Sequence, residues 1–207
     1  FLPPVISIIH GILAQTFFLF TILIAYGLSS ERTNREDSGY TKSLRKISFI
    51  IISMVYIQLI LGALTRHTAS GLAIPDFPTM GGLWIPTFSE SMINNINVML
   101  FDLDLDMIER YQVIIHFSHR LGAFIITFTI GYFFVRYKNI IKEYHHIYKT
   151  FIFFSVILLI QLSLGILTVL SERSPYIASF HVLTGAALLG LSFLFVLRTY
   201  PIKFGDW

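Results

Sequence analysis

The sequence has 207 residues, 55% of them hydrophobic and 13% charged, with a mean hydropathy of +0.71, a balance that excludes an ordinary soluble domain and indicates a membrane protein. It holds no cysteine and seven histidines, which excludes disulfides, thiolate metal sites and cysteine nucleophiles and leaves any metal to histidine, carboxylate or a cofactor. The net charge of +3 sits in segments between apolar runs, so it reads as a topology signal, with no nucleic-acid surface.

Five apolar runs, at residues 4–28, 47–66, 111–135, 150–170 and 176–199, each reach the roughly 20 residues that a helix needs to cross a hydrocarbon core. The predicted fold is all-α, a polytopic membrane helical bundle with five transmembrane helices. The chain opens at Phe1 with no initiator methionine and no basic stretch ahead of its first run, which predicts a piece of a longer protein.

The connections differ in character. Residues 29–46 carry Arg32, Arg35, Lys42, Arg45 and Lys46; the link after the third run carries Arg136, Lys138, Lys142 and Lys149, with His145 and His146 expected in the same loop. Residues 67–110 end on Asp102, Asp104, Asp106 and Glu109. The positive-inside rule puts the basic segments and the tail with Arg198 and Lys203 on the cytoplasmic side or its equivalent, and residues 67–110 outside with Phe1. Prolines and glycines in residues 66–78 forbid a long helix there. The long outer segment is expected to cap a cofactor or shape a substrate entrance, to lie on the membrane through Phe77, Leu83 and Trp84, or to do both.

In that orientation the first, third and fifth runs enter from the outer side, and each soon meets a histidine: His10, then His116 with His119, then His181. At 1.5 Å per residue all four lie roughly 8 to 12 Å below the outer boundary. A histidine inside a bilayer needs a hydrogen bond, a watery path or a metal. Taken singly, a hydrogen bond to a neighbouring Ser, Gln or carbonyl reads as well as ligation. One layer of imidazoles on three same-sense helices favours haem, which needs two neutral imidazoles face to face with small residues beside them.

His119, with Gly122 one turn on, and His181, with Gly185, are the expected iron ligands. His116 is left as a hydrogen-bond partner or a substrate-side group. His10, followed by Gly11 and Ala14, has no partner here; with a preceding segment it would ligate the haem iron of a second site, and otherwise it competes with His116 for another role. Arg120 and Arg66, toward the outer ends of their helices, could pair with haem propionates or snorkel to the interface.

The chain also repeats itself: IQLILGALT at 57–65 recurs as IQLSLGILT at 160–168. The second with the third run, and the fourth with the fifth, are two copies of one helix-hairpin unit. Gly62 and Gly165 let backbones or a flat ligand come close, and Gln58 and Gln161 can hydrogen-bond between helices; packing is the favoured role for all four.

These residues resemble the haem A synthase family. The resemblance rests on Leu61 to Arg66 running into Ser70 to Pro78, on His119-Arg120 early in one helix, and on Phe180-His181 with Thr184-Gly185 in the last. It implies an enzyme of two four-helix halves, each with a bis-histidine haem site near the outer side, that oxidises a methyl group of haem O to the formyl group of haem A. Residues 1–28 would be the last helix of a preceding half, 29–46 a basic cytoplasmic loop and 47–207 the half holding haem b on His119 and His181. His10 would match a ligand of the first half. The family's first half has a glutamate three residues before its first ligand and often a cysteine pair, and neither is present. The position three before His119 is His116, so the resemblance assigns no catalytic residue.

The resemblance further implies a bacterial plasma membrane or mitochondrial inner membrane, haem O as substrate, membrane lipid as surroundings, an electron donor, and haem O synthase or oxidase assembly factors as partners. Two other readings share parts of the pattern. A non-catalytic bis-histidine b-type cytochrome would use the same ligands without needing an elaborate cap. A transporter or assembly subunit would have water-accessible histidines and no chromophore.

Overall fold

The computed structural model describes residues 3–33 and 42–200. Within them the chain is helical: α1 Pro4–Gly27, α2 Ser30–Thr33, α3 Lys42–His67, α4 Glu90–Asp102, α5 Arg110–Glu143, α6 His145–Leu170 and α7 Pro175–Thr199. Five of these are long and apolar enough to cross a membrane, and the protein is an integral membrane helical bundle. Its outward apolar side chains, Phe17, Phe128, Val135 and Leu159 among them, suit contact with lipid tails.

Four helices close a ring. α3 packs on α5, α5 on α6, α6 on α7 and α7 back on α3, while α1 lies outside against α3 and α7. α5 and α7 therefore stand at opposite corners, as do α3 and α6. This is the repeat made spatial, since α3 with α5 and α6 with α7 are its two hairpins.

Two expectations about connections change. The link after the third run is not a loop: α5 continues through Glu143, Tyr144 alone intervenes, and His145 and His146 open α6. The charges of residues 136–149 end the apolar run but include no Gly or Pro, so nothing in them breaks a helix. In the same way α3 starts at Lys42, inside the segment expected to be a loop. Residues 34–41, with Arg35, lie outside the described residues, as does Lys203.

The long segment 67–110 holds a helix that the apolar runs do not reveal. Ser89 caps α4, its hydroxyl accepting from the Met92 amide at 3.3 Å, and Met92, Ile96 and Leu100 bury one stripe against Ala73, Ile74, Ile108 and Val113. Each such side chain is worth about 1.5 to 3 kcal/mol on burial. Asn97 pins the returning segment, donating to the Ile108 carbonyl at 3.2 Å and accepting from the Ile108 amide at 2.8 Å. Phe88 meets Phe117 of α5 edge to face. Gly81 has φ +64°, and a Cβ there would fall 2.9 Å from Ile96 Cγ1, so the turn requires glycine.

A second core fills the other end of the ring, with Ile51, Val55, Ile130, Phe151, Leu158 and Leu189 among its members. There Ser48 and Thr199 share a buried hydrogen bond of 2.7 Å. Arg198 clasps Glu31 through two bonds of 2.6 and 2.5 Å and also donates to Thr150. Between this core and the cap formed by segment 67–110 lies a polar layer.

Candidate functional site: a histidine pair across the bundle

The polar layer is built from one residue set per hairpin. His119 lies nine residues into α5 and His181 six into α7, about 14 and 9 Å along their helices. From opposite corners the two rings meet at the centre, with centroids 6.5 Å apart and planes at 83°.

Each ring rests on a glycine of the partner helix in its hairpin. A Cβ at Gly62 would sit 3.3 Å from His119 Cε1, and one at Gly165 would sit 3.1 Å from His181 Cε1. One turn away the glutamines engage the same rings. Gln58 Nε2 donates to His119 Nδ1 at 3.1 Å and to the His119 carbonyl at 2.7 Å. Gln161 Nε2 reaches His181 Nε2 at 3.5 Å, while Gln161 Oε1 accepts from the Thr184 hydroxyl. His181 Nδ1 is buried without a hydrogen-bond partner.

Gly122 and Gly185, expected to make room for a macrocycle, lie instead beneath the glutamines. A Cβ at Gly122 would collide with Gln58 Oε1, and one at Gly185 would stand 3.2 Å from Gln161 Nε2.

His116 does not join the pair. It is buried on the cap side, with Nδ1 facing the Ile74 amide at 3.2 Å and Nε2 facing Arg120 Nε at 3.3 Å. A neutral imidazole has one acceptor nitrogen, so it takes one of these two N–H groups at a time. Arg120, about 100° round the helix from His119, turns its guanidinium into the cap and donates to the carbonyls of Ile74 at 2.7 Å and Asp76 at 2.9 Å. Arg66 is exposed on the last turn of α3. His10 is exposed on α1, in a shallow groove with Leu13, Ala14, Thr16, Phe17 and Phe20, away from the histidine pair.

The cap carries its own electrostatic knot. The Asp76 carboxylate accepts from the Gly81 amide at 2.7 Å and the Gly82 amide at 2.9 Å. Partial burial pushes its pKa up, but the Thr79 side chain and these amides outweigh that and hold the carboxyl below its usual range.

Sequence reasoning identified the two paired histidines and the repeat, and favoured a packing role for the glutamines. It missed α4, whose signal was present as Ser89 ahead of Met92, Ile96 and Leu100 at helical spacing. It also missed the attachment of Arg120 to the cap, a contact between residues 46 apart that leaves no local pattern.

The fold and the site define a polytopic helical membrane protein with one imidazole pair held at the centre of a four-helix ring. The model of the family COX15-CtaA, cytochrome oxidase assembly protein, matches residues 3–193, and the chain belongs to this family. Curated relatives include the heme A synthase of Rickettsia prowazekii (strain Madrid E), 32% identical over 151 residues, 72% of this chain and 41% of that protein. The heme A synthase of Rickettsia bellii (strain OSU 85-389) is 33% identical over 147 residues, 70% of this chain and 39% of its own length. That of Orientia tsutsugamushi (strain Boryong) is 27% identical over 202 residues, 92% of this chain and 51% of its own length. The chain thus spans between about two fifths and half of these relatives.

Proposed function

We propose that this chain is the haem b-holding half of a haem A synthase, in which His119 and His181 would hold the haem iron. The observation that carries the reading is the separation of the two rings. Two imidazoles that shared one metal ion through bonds of about 2 Å would have ring centroids about 6 Å apart, and the pair stands at 6.5 Å. The donor set fits as well. Among the described residues no third His, Asp or Glu completes a site for a bare metal ion, and two imidazoles are what iron in a porphyrin still requires. The unpartnered buried Nδ1 of His181 is a group that ligation would satisfy.

Under this reading the whole enzyme oxidises the methyl group of haem O to a formyl group, and haem supplies the redox chemistry when bound. The residues of this chain bind, orient and exclude water. Gly62 and Gly165 back the ligand rings, the inner core closes one end of the site, and Arg120 holds the cap at the other. Residues 1–28 belong to a preceding half, with His10 as a ligand of its haem iron; residues 29–46 form the cytoplasmic connection and 47–207 the haem-binding half. Arg66 and Arg120 remain candidates for the propionates, Arg120 by exchanging loop carbonyls for a carboxylate. The long segment 67–110 faces the outer side of a bacterial plasma membrane or mitochondrial inner membrane. An electron donor and haem O synthase or oxidase assembly factors are the expected partners.

The test is the reduced-minus-oxidised visible spectrum of the detergent-purified chain supplied with haem, for wild type, His119→Ala and His181→Ala. Low-spin haem b bands that collapse or turn high-spin in both variants support the ligand pair. A folded wild type that stays colourless would sink it and favour the transporter or assembly reading. Turnover of haem O by a full-length protein carrying these residues separates the synthase from a b-type cytochrome.

A further inference from the structure

The ring repeats one device twice. Gln58 and Gly62, one turn apart on α3, both touch His119, and Gln161 and Gly165, equally spaced on α6, both touch His181. We propose that Gln58 and Gln161 are the positioning residues of the histidine pair, each setting the rotation of one imidazole and thereby the ligand strength it offers to iron. This rests on the haem reading above.

An imidazole turns about its Cα–Cβ and Cβ–Cγ bonds, and each ring is met at two points. The glycine lets the partner backbone come up against Cε1, and the glutamine amide meets a ring nitrogen. Neither amide is itself free to spin. Gln58 is tied by the bond from Nε2 to the His119 carbonyl at 2.7 Å, and Gln161 by the Thr184 hydroxyl at its Oε1. Gly122 and Gly185 provide the floor on which these amides lie. A packing role alone requires none of this polarity, and a methionine would fill the same space.

The glutamine occupies one nitrogen of each ring and leaves the other available: Nε2 of His119 and the partnerless Nδ1 of His181. Iron on the far nitrogen leaves the proton on the near one, and the partner of that near nitrogen tunes ligand basicity and ring orientation. A glutamine amide serves either state, donating through Nε2 to a bare nitrogen as it does here or, once turned about its Cγ–Cδ bond at the cost of its present anchor, accepting through Oε1 from a protonated one. Methionine does neither.

The experiment uses the full chain loaded with haem in detergent. Wild type, Gln58→Met, Gln161→Met, Gln58→Glu and the ligand control His119→Ala are compared by haem retention, low-spin electron paramagnetic resonance and midpoint potential. Helical content is checked by circular dichroism. The methionine variants are expected to stay low-spin, because both ligands remain, yet to hold haem about 10 to 100-fold more weakly with shifted g-values and midpoint. Gln58→Glu, which keeps an acceptor, is expected to regain affinity and to move the midpoint opposite to Gln58→Met; it carries the test if the methionine variants fail to fold.

Unchanged retention, g-values and midpoint in the glutamine variants would overturn the proposal and leave the ligand pair standing. So would weaker retention with unchanged g-values and midpoint, which is the mark of packing alone. A wild type that takes up no haem, or a His119→Ala protein identical to wild type, overturns the haem reading and this proposal with it.

Discussion

Arg120 donates through Nη1 to the Asp76 carbonyl at 2.9 Å, while the carboxylate of the same Asp76 turns away and accepts from Gly81 and Gly82 at 2.7 and 2.9 Å. One residue of the cap is thus held at its backbone by the bundle and at its side chain by its own turn. This double attachment helps to hold the cap in place, alongside the packing of α4 against Val113 of α5. Substituting Arg120→Met removes the donor to Ile74 and Asp76 and leaves their carbonyls without it, at about 1 to 3 kcal/mol for each group that stays buried. Hydrogen exchange across residues 74–82 should rise well above wild type while exchange in α6 is unchanged.

Acid should loosen the same turn. The Asp76 carboxyl is held below its ordinary value of 3.8 in the folded protein, so its ionised form is favoured by folding. The stabilisation is present above that ordinary value and is lost as the pH falls through the depressed one. Hydrogen exchange at Gly81 and Gly82 is expected to be flat from pH 7 to 5, after correction for intrinsic rates, and to rise below pH 3.8. Asp76→Asn should show the faster exchange throughout and lose the pH step.

Gly62→Ala and Gly165→Ala probe the backing of the rings. The new methyl carbons would lie 3.3 and 3.1 Å from the imidazole Cε1 atoms, tighter than ordinary contact, so each ring must shift by a few tenths of an ångström. The expected result is haem released faster, or a partial high-spin component, with thermal stability changed by about 1 kcal/mol or less. An Ala at Gly11, which meets nothing within 4 Å, serves as the silent control.

At the end of the bundle away from the cap, Arg198 and Glu31 form a bidentate pair whose side chains are 17% and 28% exposed. It fastens the segment after α1 to α7, and through Thr150 to α6. Arg198→Ala is expected to lower stability by about 1 to 3 kcal/mol and to speed proteolysis near residue 31. An unaltered cleavage rate would show that the clasp does not hold that segment.

Ile96 is fully buried beneath α4. Ile96→Ala should cost about 2 to 5 kcal/mol of local stability in the cap, read as exchange in residues 90–102, with the inner core unaffected.

The sequence by itself determined the membrane-spanning helices, because the transfer of some 20 consecutive apolar residues into hydrocarbon is a property of composition. It also determined the repeat, and through it which helices are equivalent, as IQLILGALT and IQLSLGILT stand on α3 and α6. His119 and His181 were legible as a pair because burying imidazoles at one depth demands a reason. Helix ends were not, since Lys42 and residues 136–143 combine charge with good helix propensity, and hydropathy records only the charge. Tertiary structure alone decided that α5 and α7 stand across a diagonal and present their rings to each other. It decided too that Gly122 and Gly185 floor the glutamines and that Arg120 faces the cap. Those outcomes depend on the rotation of each helix about its axis, which is set by packing against neighbours distant in sequence and by hydrogen bonds that close only once the ring is assembled.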